Sequence, residues 1–172
     1  MKLKHGYIQV YTGNGKGKTT AALGLALRAA GAGLKVYIVQ FIKNGRYSEI
    51  RALKKHKNIK VEQFGKGCLI RKPKKIDMDC AKNGLKHAEK IISGKTYDIV
   101  ILDEINVALY LKLITIADVI KILRKKPRST EIILTGRYAP KKIIDMADLV
   151  TEMKDKRHYY NNGVKARIGI ER

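Results

Sequence analysis

The sequence predicts an α/β protein in which helices cover both faces of a mostly parallel sheet. Short β-rich runs alternate with longer helical patterns along the chain, which is typical of parallel strands joined by helical crossovers. A glycine-rich segment joins the first strand to the first helix, and a later apolar strand ends in two adjacent carboxylates. Because these two features occur together in nucleotide-binding α/β proteins, the predicted fold is P-loop NTPase-like.

Length and composition are those of one globular domain. The chain has 172 residues, of which 45% are hydrophobic and 30% are charged, so we expect a single domain over residues 1–172 and exclude wholesale disorder. The 37 Lys and Arg residues outnumber the 15 Asp and Glu residues and leave a formal charge of +22. This excess favours polyanionic partners, but it does not choose among nucleotides, nucleic acid and anionic lipid.

Cysteine usage and the apolar runs indicate a cytoplasmic protein. Cys68 and Cys80 are too few for a disulfide framework or a four-ligand zinc site, and their spacing matches no redox motif. The N-terminal segment lacks the long apolar stretch of a signal peptide, and charged residues interrupt every apolar run that is longer than a strand. We therefore expect reduced thiols and no membrane-spanning segment.

The first half of the chain opens with a βαβ unit. Its strands are enriched in Val, Ile and Tyr, and a helical pattern lies between them: strand 7–11, helix 18–30 and strand 35–41. A mixed basic segment at 48–57 is interpreted as a helix before a short strand at 59–64. Two glycines, a proline and five cations in residues 65–75 favour a loop.

The second half continues the alternation. Residues 77–92 have a helical pattern, with Asp77 or Asp79 as the N-cap because a short carboxylate accepts hydrogen bonds from the first N–H groups of a helix. The apolar run 98–102 predicts a buried strand that ends directly before Asp103 and Glu104. The remaining predicted elements are helix 117–124, strand 131–135, helix 140–146 and strands 149–153 and 165–170.

The glycine-rich segment after the first strand predicts a phosphate-binding loop. Its glycines allow the backbone to curl so that successive N–H groups point inward, and the helix N-terminus adds partial positive charge. Lys18 is expected to reach the terminal phosphates, and the Thr19 hydroxyl suits Mg²⁺. Thr12 stands where the standard pattern has glycine, so this is a modified P-loop, with a turn that binds nothing as the alternative. The predicted nucleotide-binding residues are Gly13, Asn14, Gly15, Lys16, Gly17, Lys18, Thr19 and Thr20.

Two carboxylates and two arginines are further candidates. Asp103 and Glu104 are expected to hold Mg²⁺ directly or through water, although a helix N-cap pair is an alternative and the pair does not separate hydrolysis from other uses of ATP. Arg137 follows a predicted strand and is expected to neutralise charge on a leaving phosphate; an ordinary surface arginine is equally compatible. Spacing alone favours a solvated or core-flanking position for Arg28.

The histidines do not predict a metal site. His5, His56, His87 and His158 have no metal-ligand spacing to one another. His158 lies in residues 156–163, which combine cations with aromatic side chains as nucleic-acid or ring-stacking surfaces do. Spacing alone nevertheless favours an exposed hairpin loop for this segment.

Six segments in a fixed order also carry a resemblance to a known family. They are 12–25, 39–43 (VQFIK), 102–106 (LDEIN), 134–137 (LTGR), 147–153 (ADLVTEM) and 163–170 (GVKARIGI). Each is weak alone, but together they resemble the P-loop type of ATP:cob(I)alamin (corrinoid) adenosyltransferase over nearly the whole chain. The resemblance implies a RecA-like fold, a homodimer, and transfer of the 5′-deoxyadenosyl group of ATP to a Co(I) corrinoid with release of triphosphate.

The resemblance implies roles for single residues as well. It implies that ATP binds in the reverse orientation to that of ordinary P-loop enzymes, with Mg²⁺, or Mn²⁺ in its place, on Thr19 and Glu104. Lys18 and Arg28 then hold the triphosphate. Because Co(I) is a strong nucleophile, the reaction needs no general base. An electron-donating reductase is the expected partner.

Two departures from the family concern the cover of the site. The loop after the third strand excludes the lower axial ligand of cobalt in the family, often with bulky aromatics, and Leu69 and Ile70 are the expected equivalents here. Family members often carry an N-terminal arm that helps to cover the site. Because the first predicted strand begins within the first seven residues, we expect this cover to be absent or supplied otherwise.

The main alternative function is that of a P-loop ATPase or a nucleoside kinase, which release ADP rather than triphosphate. A nucleic-acid-binding protein is a second alternative, suggested by the charge of +22. The lysines are scattered rather than confined to one stripe, however, and a dispersed charge is as consistent with a heat-adapted surface. We therefore expect no nucleic-acid partner and no membrane partner.

Overall fold

The computed structural model describes residues 2–45, 47–67 and 72–171. In these residues six strands form one sheet, and every neighbouring pair runs parallel. The strands are β1 (Ile8–Thr12), β2 (Val36–Ile42), β3 (Ile59–Gly65), β4 (Ile99–Asp103), β5 (Glu131–Thr135) and β6 (Leu149–Glu152). Their order across the sheet is β3-β2-β4-β5-β1-β6, which confirms the predicted parallel α/β fold.

Helices lie on both faces of this sheet, as predicted. They are α1 (Lys18–Gly31), α2 (Ser48–Leu53), α3 (Lys75–Ser93), α4 (Ile105–Tyr110), α5 (Ile116–Arg124) and α6 (Lys141–Ile144). Buried side chains of α1 and α2 form one apolar core with the sheet, and those of α3 to α6 form the other. None of the helices that the structure describes has the length and apolar character needed to span a bilayer.

Alternate side chains of the central strands enter opposite cores. In β4, Ile99 and Ile101 pack with α1 and α2, whereas Val100 and Leu102 pack with the helices of the other face. Successive side chains of a strand point to opposite faces, so a strand that is covered on both sides is apolar at most of its positions. This explains why the central strands are continuous apolar runs in the sequence.

The predicted strand at 165–170 is wrong. The N–H of Glu171 donates to the Arg167 carbonyl at 3.0 Å, and Gly169 has a φ of +80°. The backbone therefore closes on itself in a turn, and groups that are bonded within a turn are not available to a strand ladder. Ile168, which carries the apolar alternation of this segment, is 78% exposed.

The predicted N-cap of α3 is also wrong. The helix begins at Lys75, and the Asp77 carboxylate lies inside its first turn, where it accepts a hydrogen bond from the Lys74 N–H at 2.9 Å. A carboxylate at this position caps the helix by reaching back to the residue that precedes it. Two other predicted helices are shorter than expected, since α2 ends at Leu53 and α6 ends at Ile144.

The packing of α3 against the sheet depends on Gly84. A Cβ at this position would lie 2.9 Å from Phe64 Cβ and 3.1 Å from Phe41 Cε1, whereas a Cβ at Gly24 of α1 would meet nothing within 4 Å. We expect Gly84→Ala to lower the free energy of unfolding by about 1–3 kcal/mol through overpacking. Gly24→Ala is expected to raise it by about 0.5–1 kcal/mol because alanine restricts the unfolded chain.

Urea unfolding followed by circular dichroism measures both changes. Equal changes of the free energy of unfolding in the same direction would show that helix propensity alone acts at the two positions. The inference that Gly84 permits a close approach of α3 to the sheet would then be wrong.

The strand order brings four loops to one edge of the sheet. The strands β2, β4, β5 and β1 are consecutive neighbours, and the carboxyl ends of parallel strands lie at the same edge. The residues at or directly after these ends are the glycine-rich loop, Lys43, the pair Asp103 and Glu104, and the pair Gly136 and Arg137. In open α/β sheets this edge is where ligands bind.

Candidate active site

The glycine-rich loop is seated against the end of β6. Gly15 N–H donates to the Met153 carbonyl at 2.7 Å, and a Cβ at Gly13 would lie 2.4 Å from the same oxygen. Gly13 and Gly17 have φ values of +93° and +117°, which favour glycine strongly. The loop therefore needs glycine here both for its conformation and for its contact with the sheet.

Thr12 is accommodated because its position makes no demand for glycine. It is the last residue of β1, it is buried, and its φ is not positive. Its hydroxyl accepts a hydrogen bond from the Ala139 N–H at 3.3 Å. The departure from the standard P-loop pattern thus ties the loop to the chain after β5 without changing the curl that follows.

Lys18 lies under the loop. Its ammonium donates to the carbonyls of Gly13 and Gly15 at 2.7 and 2.6 Å, and the residue is only 8% exposed. Burial lowers the pKa of Lys18, and the positive charge of Arg137 lowers it further. A buried cation at the N-terminus of α1 provides the positive potential that a polyphosphate requires.

Asp103 is the centre of a buried hydrogen-bond network. Its carboxylate accepts from the Thr19 and Thr135 hydroxyls at 2.8 and 2.7 Å. It also accepts from Gln40 Nε2 at 3.0 Å and Lys43 Nζ at 3.1 Å. The side chain is fully buried, so both oxygens are already engaged by protein groups.

Glu104 differs from its neighbour because it reaches the surface of the site. Its backbone is left-handed, with a φ of +62° at the N-cap of α4, and its N–H donates to the Thr135 hydroxyl at 3.0 Å. This turn directs the Glu104 side chain away from the interior. The side chain is 24% exposed. Burial and the adjacent Asp103 charge raise the pKa of Glu104, while Lys43 and Lys18 oppose that rise.

Lys43 belongs to this cluster, although the sequence reasoning assigned it no role. Its ammonium lies 3.2 Å from Thr19 Oγ1, 3.1 Å from Asp103 Oδ2 and 3.6 Å from Glu104 Oε1. Its burial alone would lower the pKa of Lys43, but Asp103 and Glu104 outweigh it and the pKa is raised. The available signal was its position directly after a buried strand, at the same edge as the P-loop.

Asn106 is a second residue that the sequence reasoning missed. It is fully buried, and its amide nitrogen donates to the Gly136 carbonyl at 3.4 Å. Its Oδ1 has no hydrogen-bond partner among the described residues. Gly136 has a φ of +130°, and this turn exposes Arg137 to the site.

A cavity of about 900 Å³ lies above these groups. Its walls are formed by the P-loop, the ends of β2 and β4, helices α1 and α2, and the C-terminal segment, residues 158–171. Predicted site residues on these walls are Gly15, Lys16, Gly17, Lys18, Thr19, Thr20, Glu104 and Arg137. A smaller cavity of about 500 Å³ on the outer side of α5 has no carboxylate in its lining.

Some predicted site residues lie outside the cavity wall. Gly13 and Asn14 belong to the P-loop but do not line the cavity, and Asp103 lies beneath it. Arg28 is exposed near the end of α1 and does not line it either. Its predicted contact with triphosphate is untested, as is the prediction for Leu69 and Ile70, which lie outside the described residues with Cys68.

The C-terminal segment covers one side of the P-loop. Lys16 Nζ lies 2.8 Å from both the Tyr159 hydroxyl and Glu171 Oε1, and the Tyr159 hydroxyl donates to the same carboxylate. The Arg167 guanidinium stacks 4.9 Å from the Tyr159 ring centre. Hydrogen bonds from Arg167, Lys16 and Tyr159 hold the pKa of Glu171 well below its usual range.

Residues 156–163 are largely exposed, as predicted, but they do not form a hairpin. They contain a 3₁₀ helix, Tyr159–Asn162, and His158 lines the cavity. The combination of cations and aromatics in this segment was the signal, because it supplies the ring that packs on Lys16.

Oxygen atoms dominate the converging side chains. Thr19, Asp103 and Glu104 offer a hydroxyl and two carboxylates within reach of one cation, as the position of the Lys43 ammonium demonstrates. Among the described residues no group of three or more His, Cys, Asp and Glu side chains is placed to hold a metal. The hydroxyl of Thr19 and the carboxylates of Asp103 and Glu104 fit Mg²⁺, which binds through one or two carboxylates together with substrate phosphates.

Comparison with known proteins gives sequence relatives over almost the whole chain. Residues 4–172 match the family model of ATP:corrinoid adenosyltransferase BtuR/CobO/CobP. The chain is 34% identical to the corrinoid adenosyltransferase of Escherichia coli K12, over 98% of this chain and 86% of that protein. It is 37% identical to a corrinoid adenosyltransferase of a Sinorhizobium species, over 96% of this chain and 80% of that protein.

Solved structures with a similar fold are more distant in sequence. A KaiC-like protein of Pyrococcus horikoshii OT3 aligns with a TM-score of 0.59 at 17% identity, over 90% of this chain and 75% of that chain. The flagellar accessory protein FlaH of Methanocaldococcus jannaschii aligns with a TM-score of 0.62 at 15% identity, over 87% and 72%. These likenesses confirm the P-loop NTPase-like, RecA-like fold.

Proposed function

Because the chain belongs to the ATP:corrinoid adenosyltransferase family, we propose that the cavity above the P-loop is where its reaction takes place. The enzyme transfers the 5′-deoxyadenosyl group of ATP to the cobalt of a Co(I) corrinoid and releases triphosphate, in adenosylcobalamin synthesis. The observation that carries the assignment of the site is the convergence of Lys18, Thr19 and Glu104 on one wall of the larger cavity.

The chemistry requires a good leaving group rather than a base. The Co(I) electron pair forms the Co–C5′ bond while the C5′–O bond breaks, and its electrons remain on the departing triphosphate oxygen. No proton moves, so the site needs no nucleophile and base pair. Lys18 and the P-loop N–H groups stabilise the charge that develops on the triphosphate, and a fixed distance between cobalt and C5′ supplies the proximity effect.

We assign different roles to the two carboxylates. Mg²⁺ would be held by the Thr19 hydroxyl and Glu104, and it would neutralise charge on the triphosphate. Asp103 is the weaker candidate for direct binding because its oxygens are already engaged by four donors. By accepting the Thr19 hydrogen, it leaves the lone pairs of that hydroxyl available to a cation. Asp103 would thus position Thr19. Mn²⁺ is expected to substitute, since it prefers the same oxygen ligands.

The remaining wall of the cavity favours a substrate larger than a polyphosphate. Its lining includes the apolar side chains Leu23, Leu27, Leu53 and Ile170. Its volume of about 900 Å³ lies toward the upper end of the usual range for small-molecule sites, roughly 300–1,000 Å³. An apolar wall of this kind suits an adenosyl group and excludes water from the reaction. Arg137, which also lines the cavity, would neutralise charge on the triphosphate.

Several expectations rest on the family resemblance or on composition alone. Homodimer formation, delivery of an electron by a reductase, a cytoplasmic location and the contact of Arg28 with triphosphate stay predictions. The extent of the domain, residues 1–172, is a prediction of the same kind, as is the absence of a nucleic-acid partner.

Product analysis tests the proposal against its alternatives. The protein is incubated with ATP, Mg²⁺ and a chemically reduced corrinoid, and the reaction is followed by the absorption spectrum of the Co–C bond. We expect this spectrum together with triphosphate in equal amount. Formation of ADP without a Co–C product would instead indicate a P-loop ATPase or nucleoside kinase.

Glu104→Gln tests the metal site. The amide keeps the shape of the side chain but loses the charge that a hard cation needs. We expect the Mg²⁺ concentration for half-maximal activity to rise by at least about tenfold, while nucleotide binding without metal changes little. Glu152→Gln is a matched control because that carboxylate is exposed at the end of β6 and does not line the cavity. An unchanged Mg²⁺ requirement in Glu104→Gln would identify a different ligand.

A further inference from the structure

The ammonium of Lys43 lies among the oxygens that we assign to Mg²⁺. It is within 3.2 Å of the Thr19 hydroxyl and 3.6 Å of a Glu104 oxygen, and it forms an ion pair with Asp103 at 3.1 Å. A Mg²⁺ ion holds its oxygen ligands at about 2.0–2.1 Å. The ammonium and the metal therefore cannot share the position.

The backbone places Lys43 there by means of a strained turn. The Lys43 N–H donates to the Phe41 carbonyl at 2.6 Å across Ile42, whose φ is +67°. This is the rare form of the γ-turn, and a positive φ is especially unfavourable for a β-branched residue. Strain of this kind persists only where the surrounding structure imposes it, and it is concentrated at functional sites.

The neighbouring strand is adapted to the same turn. Gly65 pairs with Ile42 at the end of β3, and a Cβ at Gly65 would lie only 1.9 Å from the Ile42 carbonyl oxygen. That oxygen also accepts the Gly67 N–H at 3.3 Å. The turn is therefore supported from β3, and Lys43 is aimed at the carboxylates by backbone rather than by chance.

The charges explain why a cation is needed at this point. Asp103 is fully buried and Glu104 is largely buried, and their carboxylates belong to adjacent residues. Two such charges repel strongly in a medium of low dielectric constant. The side chain of Lys43 is itself only 16% exposed, so its charge is compensated by the same pair.

We propose that Lys43 is a built-in counter-cation at this site and that Mg²⁺ displaces it. The inference rests on the proposed metal site at Thr19 and Glu104. Before the metal binds, the ammonium holds these oxygens together and balances their charge. On metal binding, the two positive charges repel and the ammonium leaves.

The displaced side chain can remain in the cavity. Lys43 lines the same cavity as the P-loop, and its Nζ lies 6.0 Å from the Tyr47 ring centre. The flexible stem of lysine permits this movement, since only the χ angles change.

Mn²⁺ binding without nucleotide tests the competition. Free Mn²⁺ is measured by electron paramagnetic resonance during titration of wild type, Lys43→Met and Lys43→Arg. Methionine keeps a long unbranched stem without the charge, so we expect Lys43→Met to bind Mn²⁺ at least about tenfold more tightly than wild type. Lys43→Arg, which keeps the charge, is expected to stay within about threefold of wild type.

Matched variants separate this inference from the metal site itself. Lys125→Met removes a lysine that is paired with Glu89 at 2.7 Å on the surface, and its Mn²⁺ affinity is expected to equal that of wild type. If Glu104→Gln abolishes Mn²⁺ binding but Lys43→Met leaves the affinity unchanged, the proposed metal site is supported and the proposed role of Lys43 as counter-cation is wrong. If Glu104→Gln also has no effect, the metal site itself is wrong.

A stability measurement covers the case in which Lys43→Met folds poorly. In buffer with EDTA we expect Lys43→Met to melt below wild type because the carboxylates are left unbalanced, and Mg²⁺ should restore most of the loss. The double variant Lys43→Met with Glu104→Gln removes one charge of each sign, and it is expected to melt above the single Lys43 variant. Additive losses in the double variant would contradict the proposal.

Discussion

Replacing Lys18 by alanine is expected to reduce the adenosylation rate by a factor of about 10² to 10³. The ammonium lies beneath the P-loop, bonded to the carbonyls of Gly13 and Gly15, and is almost fully buried. A charge-assisted phosphate contact in such a site is roughly twice as strong as a neutral one. Its contribution grows as charge accumulates on the leaving triphosphate, so kcat should fall more than KM rises.

The measurement is steady-state adenosylation with prereduced corrinoid and saturating Mg²⁺. Lys125→Ala is the control, because it removes the same charge from a surface ion pair between Lys125, which follows α5, and Glu89 of α3. Its rate should equal that of wild type. A rate for Lys18→Ala within about threefold of wild type would rule out its role on the triphosphate.

Replacing Asp103 by alanine is expected to lower the free energy of unfolding by about 3–5 kcal/mol. Four donors lose their acceptor at once, and Lys43 is left as a buried cation with only the more distant Glu104. Removing one partner of a buried pair is costly because the other keeps its desolvated charge. The loss should appear in urea unfolding without Mg²⁺.

Asp145→Ala provides the matched control. Asp145 also pairs with a lysine, Lys141, at 2.7 Å, but its side chain is 53% exposed. We expect this variant to lose no more than about 1 kcal/mol, because exposed ion pairs contribute little. Similar losses in the two aspartate variants would show that the network around Asp103 does not stabilise the fold.

Asp103→Asn separates stability from positioning. The amide can remain hydrogen-bonded to Gln40 and to the threonine hydroxyls, so less stability is lost than in Asp103→Ala. An amide N–H that faces Thr19 would reverse its hydroxyl and occupy the lone pair that Mg²⁺ needs. The asparagine variant should therefore fold yet require more Mg²⁺ than wild type.

The fold could be predicted largely because apolar patterns act locally. Strand 131–135 has the predicted bounds, and β1, β2 and β4 each begin and end one residue later than predicted. Their continuous apolar runs follow from burial on both faces. The predicted strand at 165–170 failed because alternation on an exposed segment does not require a sheet, and the turn at Gly169 satisfies its backbone instead.

Part of the site was equally visible in the sequence. The P-loop glycines are required by backbone conformation, so their spacing identifies the loop without any knowledge of the rest of the chain. Glu104 could be recognised because it directly follows an apolar strand. The sequence could not show that Asp103 is buried while Glu104 is partly exposed. This difference depends on the left-handed turn at Glu104 and on Thr135 from another strand.

The parallel α/β class, the phosphate loop and, through the family resemblance, the reaction could all be inferred from the order of amino acids. The folded chain was needed to place Lys43 against Asp103, which is 60 positions away, and Lys16 against Glu171, which is 155 positions away. Local patterns reflect burial and backbone conformation, which each residue expresses alone. Contacts between distant residues depend on the strand order and on where each loop turns, and these emerge only when the whole sheet has assembled.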